Sequence, residues 1–74
     1  MCTRDDYSGV FTNTDKRSFQ GKVWATGTDE LGTRERDEEV IISLAPGASE
    51  TVEFVWVLDG ERPVCSLDSV EWYP

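Results

Sequence analysis

Two cysteines, Cys2 and Cys65, five acidic residues at Asp29, Glu30, Asp37, Glu38 and Glu39, and the aromatic set Trp24, Trp56, Trp72, Tyr7 and Tyr73 are the side chains best suited to chemistry or binding in this sequence. There is no histidine among the 74 residues. Ser-His-Asp and Cys-His nucleophilic arrangements are therefore absent. The cysteines lack the spacing of a redox pair or a zinc knuckle. Adjacent carboxylates at Asp5-Asp6 and Glu38-Glu39 could in principle serve glycoside hydrolysis, but that reaction needs a substrate cleft that so short a chain can scarcely enclose. No enzyme activity and no cofactor are expected.

Three non-catalytic roles stay open for these residues. Asp29, Glu30, Asp37, Glu38 and Glu39 bracket a predicted reversal of the chain and offer oxygen ligands of the kind calcium takes, without the loop spacing of an EF-hand. The competing reading is a solvated acidic edge interleaved with Arg34 and Arg36. Trp24 and Tyr73 are the aromatics expected at the surface, where they could stack on a sugar or form a protein-binding patch; Trp56 is expected in the core. Cys2 and Cys65 could be bridged, clipping the N-terminus to the last strand and closing a loop worth about 4 kcal/mol in chain-entropy models. Alternatively, Cys2 bears a lipid after removal of a signal segment, or both thiols are free and Cys65 is a small buried hydrophobe.

Charge narrows the partners. Fifteen acidic against seven basic side chains give a net charge of -8, which argues against nucleic acid and against anionic membrane surfaces. A high net charge also suits concentrated salt, so a soluble intracellular protein of a halophile or phage is an alternative. No segment is long and apolar enough for a transmembrane helix, and no signal region is visible.

The elements that would position these residues are short and β-prone. Residues 1–6 read as a polar leader or linker and 7–74 as one domain. Tyr7 to Thr12 alternates with Tyr7, Gly9 and Phe11 on one side, and Asn13 to Arg17 breaks the pattern as a loop. Phe19 to Thr26 alternates again, with Phe19, Gly21, Val23 and Ala25 inward and Trp24 on the face of Lys22. Gly27 to Gly32 reads as a turn, and Thr33 to Glu39 as a charged edge strand or loop, since no apolar stripe would dock a helix there.

Val40 to Val57 organises the rest. Two β-prone segments flank Pro46-Gly47, with Val40, Ile42 and Leu44 as one inward set and Val52, Phe54 and Trp56 as the other, and the pair is predicted to be a hairpin. Asp59-Gly60 signals a second hairpin. In the last strand, Pro63 to Trp72, the inward phase of Cys65 and Leu67 is lost by Val70 and Trp72, which predicts a bulge or bend near Asp68-Ser69. Six or seven short strands without a helix point to a small antiparallel sandwich or barrel.

Three segments carry a family resemblance. Gly9-Val10-Phe11-Thr12-Asn13, Asp29-Glu30-Leu31-Gly32, and Ile42-Ser43-Leu44-Ala45-Pro46-Gly47-Ala48-Ser49 leading into Val52-Glu53-Phe54 resemble the FxLYD family of extracytoplasmic domains in order and type, over about Ser8 to Trp72. The motif that names the family is not matched, since Ala25-Thr26-Gly27-Thr28 stands before Asp29. The resemblance implies an immunoglobulin-like β-sandwich in a lipoprotein or envelope protein, with no catalytic residues. It places the chain outside the cytoplasm, as a structural or protein-binding module whose partner is a protein or an envelope component.

Overall fold

Alternation buries one set of side chains along each β segment, and five such segments close on one another in the structure, a computed structural model that describes residues 1–74. They are β1 (Asp6–Thr12), β2 (Phe19–Thr28), β3 (Arg34–Leu44), β4 (Ser49–Val55) and β5 (Val64–Trp72). Strands β1 and β4 form a two-stranded sheet, and β3-β2-β5 a three-stranded one, all pairs antiparallel. The chain is thus all-β with two sheets and no helix. Five strands stand where six or seven were expected, because the charged run from Arg34 and the apolar run ending at Leu44 are one continuous edge strand.

The core lies between the sheets. Phe19, Val23, Ala25, Ile41 and Leu44 enter it from the three-stranded sheet, and Val52 and Phe54 from β4, with Trp56 and Leu58 just beyond. Tyr7 stacks on both Phe54 and Trp56, at ring-centroid separations of 5.9 and 6.0 Å. At the other end, Trp72 meets Phe19 edge-on at 4.7 Å. These are favourable arrangements for ring quadrupoles. Gly27 is needed beneath Trp56, since a Cβ there would sit 2.6 Å from the indole Cζ2.

Three expectations are corrected by the way the strands pair. Val40 to Val57 reverses at Pro46-Gly47 but is not a hairpin: β3 and β4 belong to different sheets, each sending side chains into the same core. The reversal itself is a tight turn, with the Ala48 N–H donating to the Ala45 carbonyl at 3.0 Å and Gly47 at a φ of +79°. Asp59-Gly60 is likewise a connection between sheets, since β5 pairs with β2 and not with β4. The inward set of β3 is Ile41 and Leu44, whereas Val40 and Ile42 are 53% and 80% exposed. The cause is a bulge: between the pairs Phe19↔Leu44 and Gly21↔Ile41, two steps along β2 are matched by three along β3. An extra residue inverts the inward-outward phase of the strand on its far side.

The bulge expected near Asp68-Ser69 is present. Trp24 pairs with Ser69 and Ala25 with Leu67, leaving Asp68 as the inserted residue. Cys65, Leu67 and Trp72 all pack against the core in consequence, while Val70 stays 43% exposed at the rim.

Of residues 1–6, read from their polarity as a leader or linker, Asp6 opens β1 and residues 1–5 are folded onto the sandwich. The Leu58 and Trp56 amides donate to the carbonyls of Arg4 and Asp5 at 2.9 and 3.1 Å, and Ser8 N–H to Met1 O at 2.8 Å. The Thr3 hydroxyl accepts from the amides of Asp5 and Asp6, turning the chain into β1. Backbone hydrogen bonds need no apolar side chain, so hydropathy did not reveal them.

Asn13 is the buried polar residue, 2% exposed. Its amide nitrogen donates to the Arg17 and Leu44 carbonyls, both at 2.9 Å, while its side-chain oxygen accepts from Asp15 N–H at 3.0 Å. Its backbone pairs with Gly47 and Ala48. One side chain thereby joins the end of β1, the following loop and the β3–β4 turn with every polar atom satisfied.

Candidate functional site

Outward-facing positions on the three-stranded sheet converge on Trp24. Its register neighbours are Glu38 on β3 and Ser69 on β5, and the rows on either side bring Lys22 opposite Val40 and Glu71, and Thr26 opposite Arg36 and Ser66. The Arg36 guanidinium carbon lies 4.5 Å from the Trp24 ring centroid and the Lys22 ammonium 6.0 Å from it. Both cations are also paired with carboxylates: Lys22 Nζ is 3.1 Å from Glu38 Oε2, and Arg36 Nη2 is 3.1 Å from Asp68 Oδ1. Arg36 donates as well to Ser69 Oγ at 2.9 Å, and the Thr26 hydroxyl donates to Asp68 Oδ2.

This network fixes the charges it contains. The Thr26 hydroxyl, followed by Arg36, holds the Asp68 carboxyl below its ordinary value of 3.8, and the hydrogen bond and charge of Glu38 raise Lys22 above 10.5. A carboxyl whose pKa falls on folding adds stability above its unfolded value, and that stability disappears as pH drops through the folded value. The difference in urea midpoint between the parent protein and Asp68→Asn should accordingly be largest near neutral pH. It should shrink on titration from roughly pH 5 towards pH 2, the window set by a lowered carboxyl pKa. A difference independent of pH would show that the Asp68 charge is not what Thr26 and Arg36 hold.

Trp24, expected at the surface, is half-buried under Arg36, and Tyr73 is half-buried as well. The Tyr73 N–H donates to Gln20 O at 2.8 Å, which extends the β2–β5 ladder and sets Tyr73 on the same outer face as Lys22. The two aromatics expected to form a platform therefore share a face, with Lys22 between their rows. Sequence reading missed Arg36 and Asp68 as their companions. Arg36 was within reach of a β2–β3 register, but Asp68 comes to Thr26 only through the β5 bulge.

The five acidic residues considered for calcium do not converge. Asp29 accepts amide hydrogens from Leu31 and Thr33 at 2.9 Å and from Gly60 at 2.6 Å, while Glu30 accepts from Glu61 at 2.8 Å. Desolvation pushes the Asp29 pKa up, but these amide donors outweigh it and the net direction is down. Asp37 accepts from its neighbour Glu38 at 2.8 Å and from Val55 of β4 at 2.9 Å. Glu38 is paired with Lys22, and Glu39 is exposed near the open side of β3. No three of these groups form a metal-holding cluster. Asp29, Glu30 and Asp37 satisfy backbone donors in two loops and on one strand edge, a use of Asp common in turns.

Cys2 and Cys65 are joined by a disulfide, with Cα atoms 5.7 Å apart, and no free cysteine remains. Cys2 also forms an isolated antiparallel bridge with Tyr7. The bond ties the N-terminal turn to β5, and so links the edges of the two sheets. No helix is long and apolar enough to cross a membrane. Comparison with family profiles, with curated proteins and with solved structures found no match.

Proposed function

We propose that the chain is a non-catalytic extracytoplasmic β-sandwich module with a structural or protein-binding role at the cell envelope. The observation that carries this reading is the Cys2–Cys65 disulfide. Such bonds persist in oxidising compartments and stabilise domains too small for a large core. With both sulfurs in the bond, Cys2 has no thiol left to take a lipid, so any tether would lie elsewhere.

The topology supports an immunoglobulin-like arrangement. The strand order β1-β4 and β3-β2-β5 parallels the B-E and C′-C-F neighbours of that fold, in the same chain order and with the same crossings between sheets. Cys2 lies just before β1 and Cys65 lies in β5, the counterparts of strands B and F. The resemblance of the Leu44-Ala45-Pro46-Gly47-Ala48-Ser49 segment to extracytoplasmic sandwiches is in keeping with this.

The outer face around Trp24 is the surface we assign to protein contact. It presents Trp24, Tyr73 and Arg36, residue types enriched among interface anchors. A carbohydrate platform is less well supported, because Arg36 already occupies a face of the Trp24 ring. Calcium binding is less well supported because Asp29, Glu30 and Asp37 are committed to backbone amides. An intracellular role would have to account for the bridge.

The test is the alkylation state of the protein recovered from its native cells under denaturing conditions. No adduct without reductant and two adducts after reduction are expected. Two adducts without reductant would contradict an oxidising location.

A further inference from the structure

The outer edge of β4 is open over a short, defined stretch. Even-numbered peptide groups of this segment turn towards β1: Ala48 O accepts from Asn13 N–H, and the amides of Trp56 and Leu58 donate to Asp5 O and Arg4 O. Odd-numbered groups within β4 turn the other way, as Val55 shows by donating its N–H to Asp37 Oδ2 on β3. The peptide groups of Thr51 and Glu53 therefore face outward along β4. β4 ends its two-stranded sheet and β3 ends the three-stranded one, and the Val55–Asp37 hydrogen bond brings these two edges together. Between them runs a slot of about 310 Å³ with Ile41 and Val52 at its floor and Glu39, Glu50 and Glu53 at its rim.

We propose that this slot accepts an extended basic segment of a partner protein, which adds as a strand to β4 beside Thr51 and Glu53. Main-chain hydrogen bonds to an open edge supply affinity in this mode, and alternate side chains supply specificity. The inward set of the added strand would be apolar, towards Ile41 and Val52. Its outward set would be Lys or Arg, because the rim holds three carboxylates and no basic residue lines the slot. Opposite charges directly across a strand pair stabilise it, and like charges oppose it. A second copy of this chain would set the acidic rim against itself, at a net charge of -8 for each molecule. Asp37 bounds the site: by taking the Val55 amide it stops the added strand at that end, an acidic plug of the kind that limits edge pairing. The site is separate from the outer face around Trp24.

The probe is the capped peptide acetyl-Lys-Val-Lys-Val-Lys-Val-Lys-amide, titrated into the intact, oxidised protein and followed by amide NMR. Its control carries the same charges but is N-methylated at the central five residues, so that these cannot donate from either edge. Shifts and exchange protection centred on the Thr51 and Glu53 amides are expected. Binding of the control should be weaker by roughly tenfold or more, the loss expected when two hydrogen bonds go. Glu50→Gln with Glu53→Gln should weaken the unmodified peptide as well. Four results would overturn the proposal: equal affinity for the control, which means charge attraction alone; shifts centred on Trp24 instead; no shift at millimolar peptide; or Thr51 and Glu53 amides already protected in a self-associated protein.

Discussion

Phe54→Ala should cost about 3–5 kcal/mol of unfolding free energy, the range found for removing a fully buried phenylalanine. Phe54 has no exposed surface and sits in the nine-residue core between the sheets. Its truncation removes the transfer term and leaves a void bounded by Tyr7, whose ring stacks on it. Collapse into that void is restricted. Tyr7 also stacks on Trp56, and the indole N–H of Trp56 donates to Thr3 O at 3.3 Å, so a shift of Tyr7 would disturb the N-terminal turn as well. The urea midpoint should fall without a change in slope if the variant still unfolds in one step. Val55→Ala provides the contrast: Val55 is 72% exposed on the other face of the same strand, and its replacement should move the midpoint little. Equal losses at the two positions would mean that β4 does not bury one side only.

Breaking the Cys2–Cys65 bond should have a comparable effect by a different route. The bond spans 63 positions of a 74-residue chain, so it restricts nearly the whole unfolded ensemble. Loop-closure models assign about 4 kcal/mol to a loop of this length. Globular proteins are stable by roughly 5–15 kcal/mol, and a domain of this size belongs near the lower end. Paired Cys2→Ser and Cys65→Ser substitutions should therefore bring the protein close to its unfolding midpoint at room temperature. Reduction of the parent protein should do the same. The native contacts of Arg4 and Asp5 with Leu58 and Trp56 will moderate the loss only if the N-terminal segment stays docked without its bond. Exchange of the Leu58 and Trp56 amides in the double variant reports on this directly. If stability is unchanged on reduction, the bond is not contributing through the unfolded state.

The contrast between these two effects shows which features the sequence could reveal. The alternation of Val52, Phe54 and Trp56 was legible because burial on one side of a strand leaves a period of two. The Asp68 bulge was legible for the same reason, as a break in that period between Leu67 and Val70. The charged run at Arg34 to Glu39 could be assigned to an edge because it has no apolar side to bury. Pairing was not legible. A Pro-Gly turn between two half-apolar strands fits a hairpin and an arch equally, since alternation records that a face is covered and not by which strand. The Asp59-Gly60 pair misled for a related reason: the Gly60 amide is held by Asp29, thirty-one positions away, and no local pattern encodes that contact.

The same limit explains the candidate site. Alternation along β2 set Trp24 beside Lys22 and away from the core, but the Arg36 cover and the Asp68 anchor depend on register. Asp29, Glu30 and Asp37, which suggested a cation in the sequence, are acceptors for backbone amides, and those of Gly60, Glu61 and Val55 come from distant segments that no local pattern encodes. Asn13 read as a turn residue and is the buried junction of three segments. Its composition signal is the same in both settings.

The most direct test of the two-sheet arrangement, on which the open β4 edge depends, is a set of cross-strand backbone NOEs in the oxidised protein. Contacts are predicted between β1 and β4 around Tyr7 and Phe54, and between β2 and β5 around Val23 and Val70. A continuous ladder joining β4 to β5 across Asp59-Gly60, or β3 to β4 across Pro46-Gly47, would contradict the account.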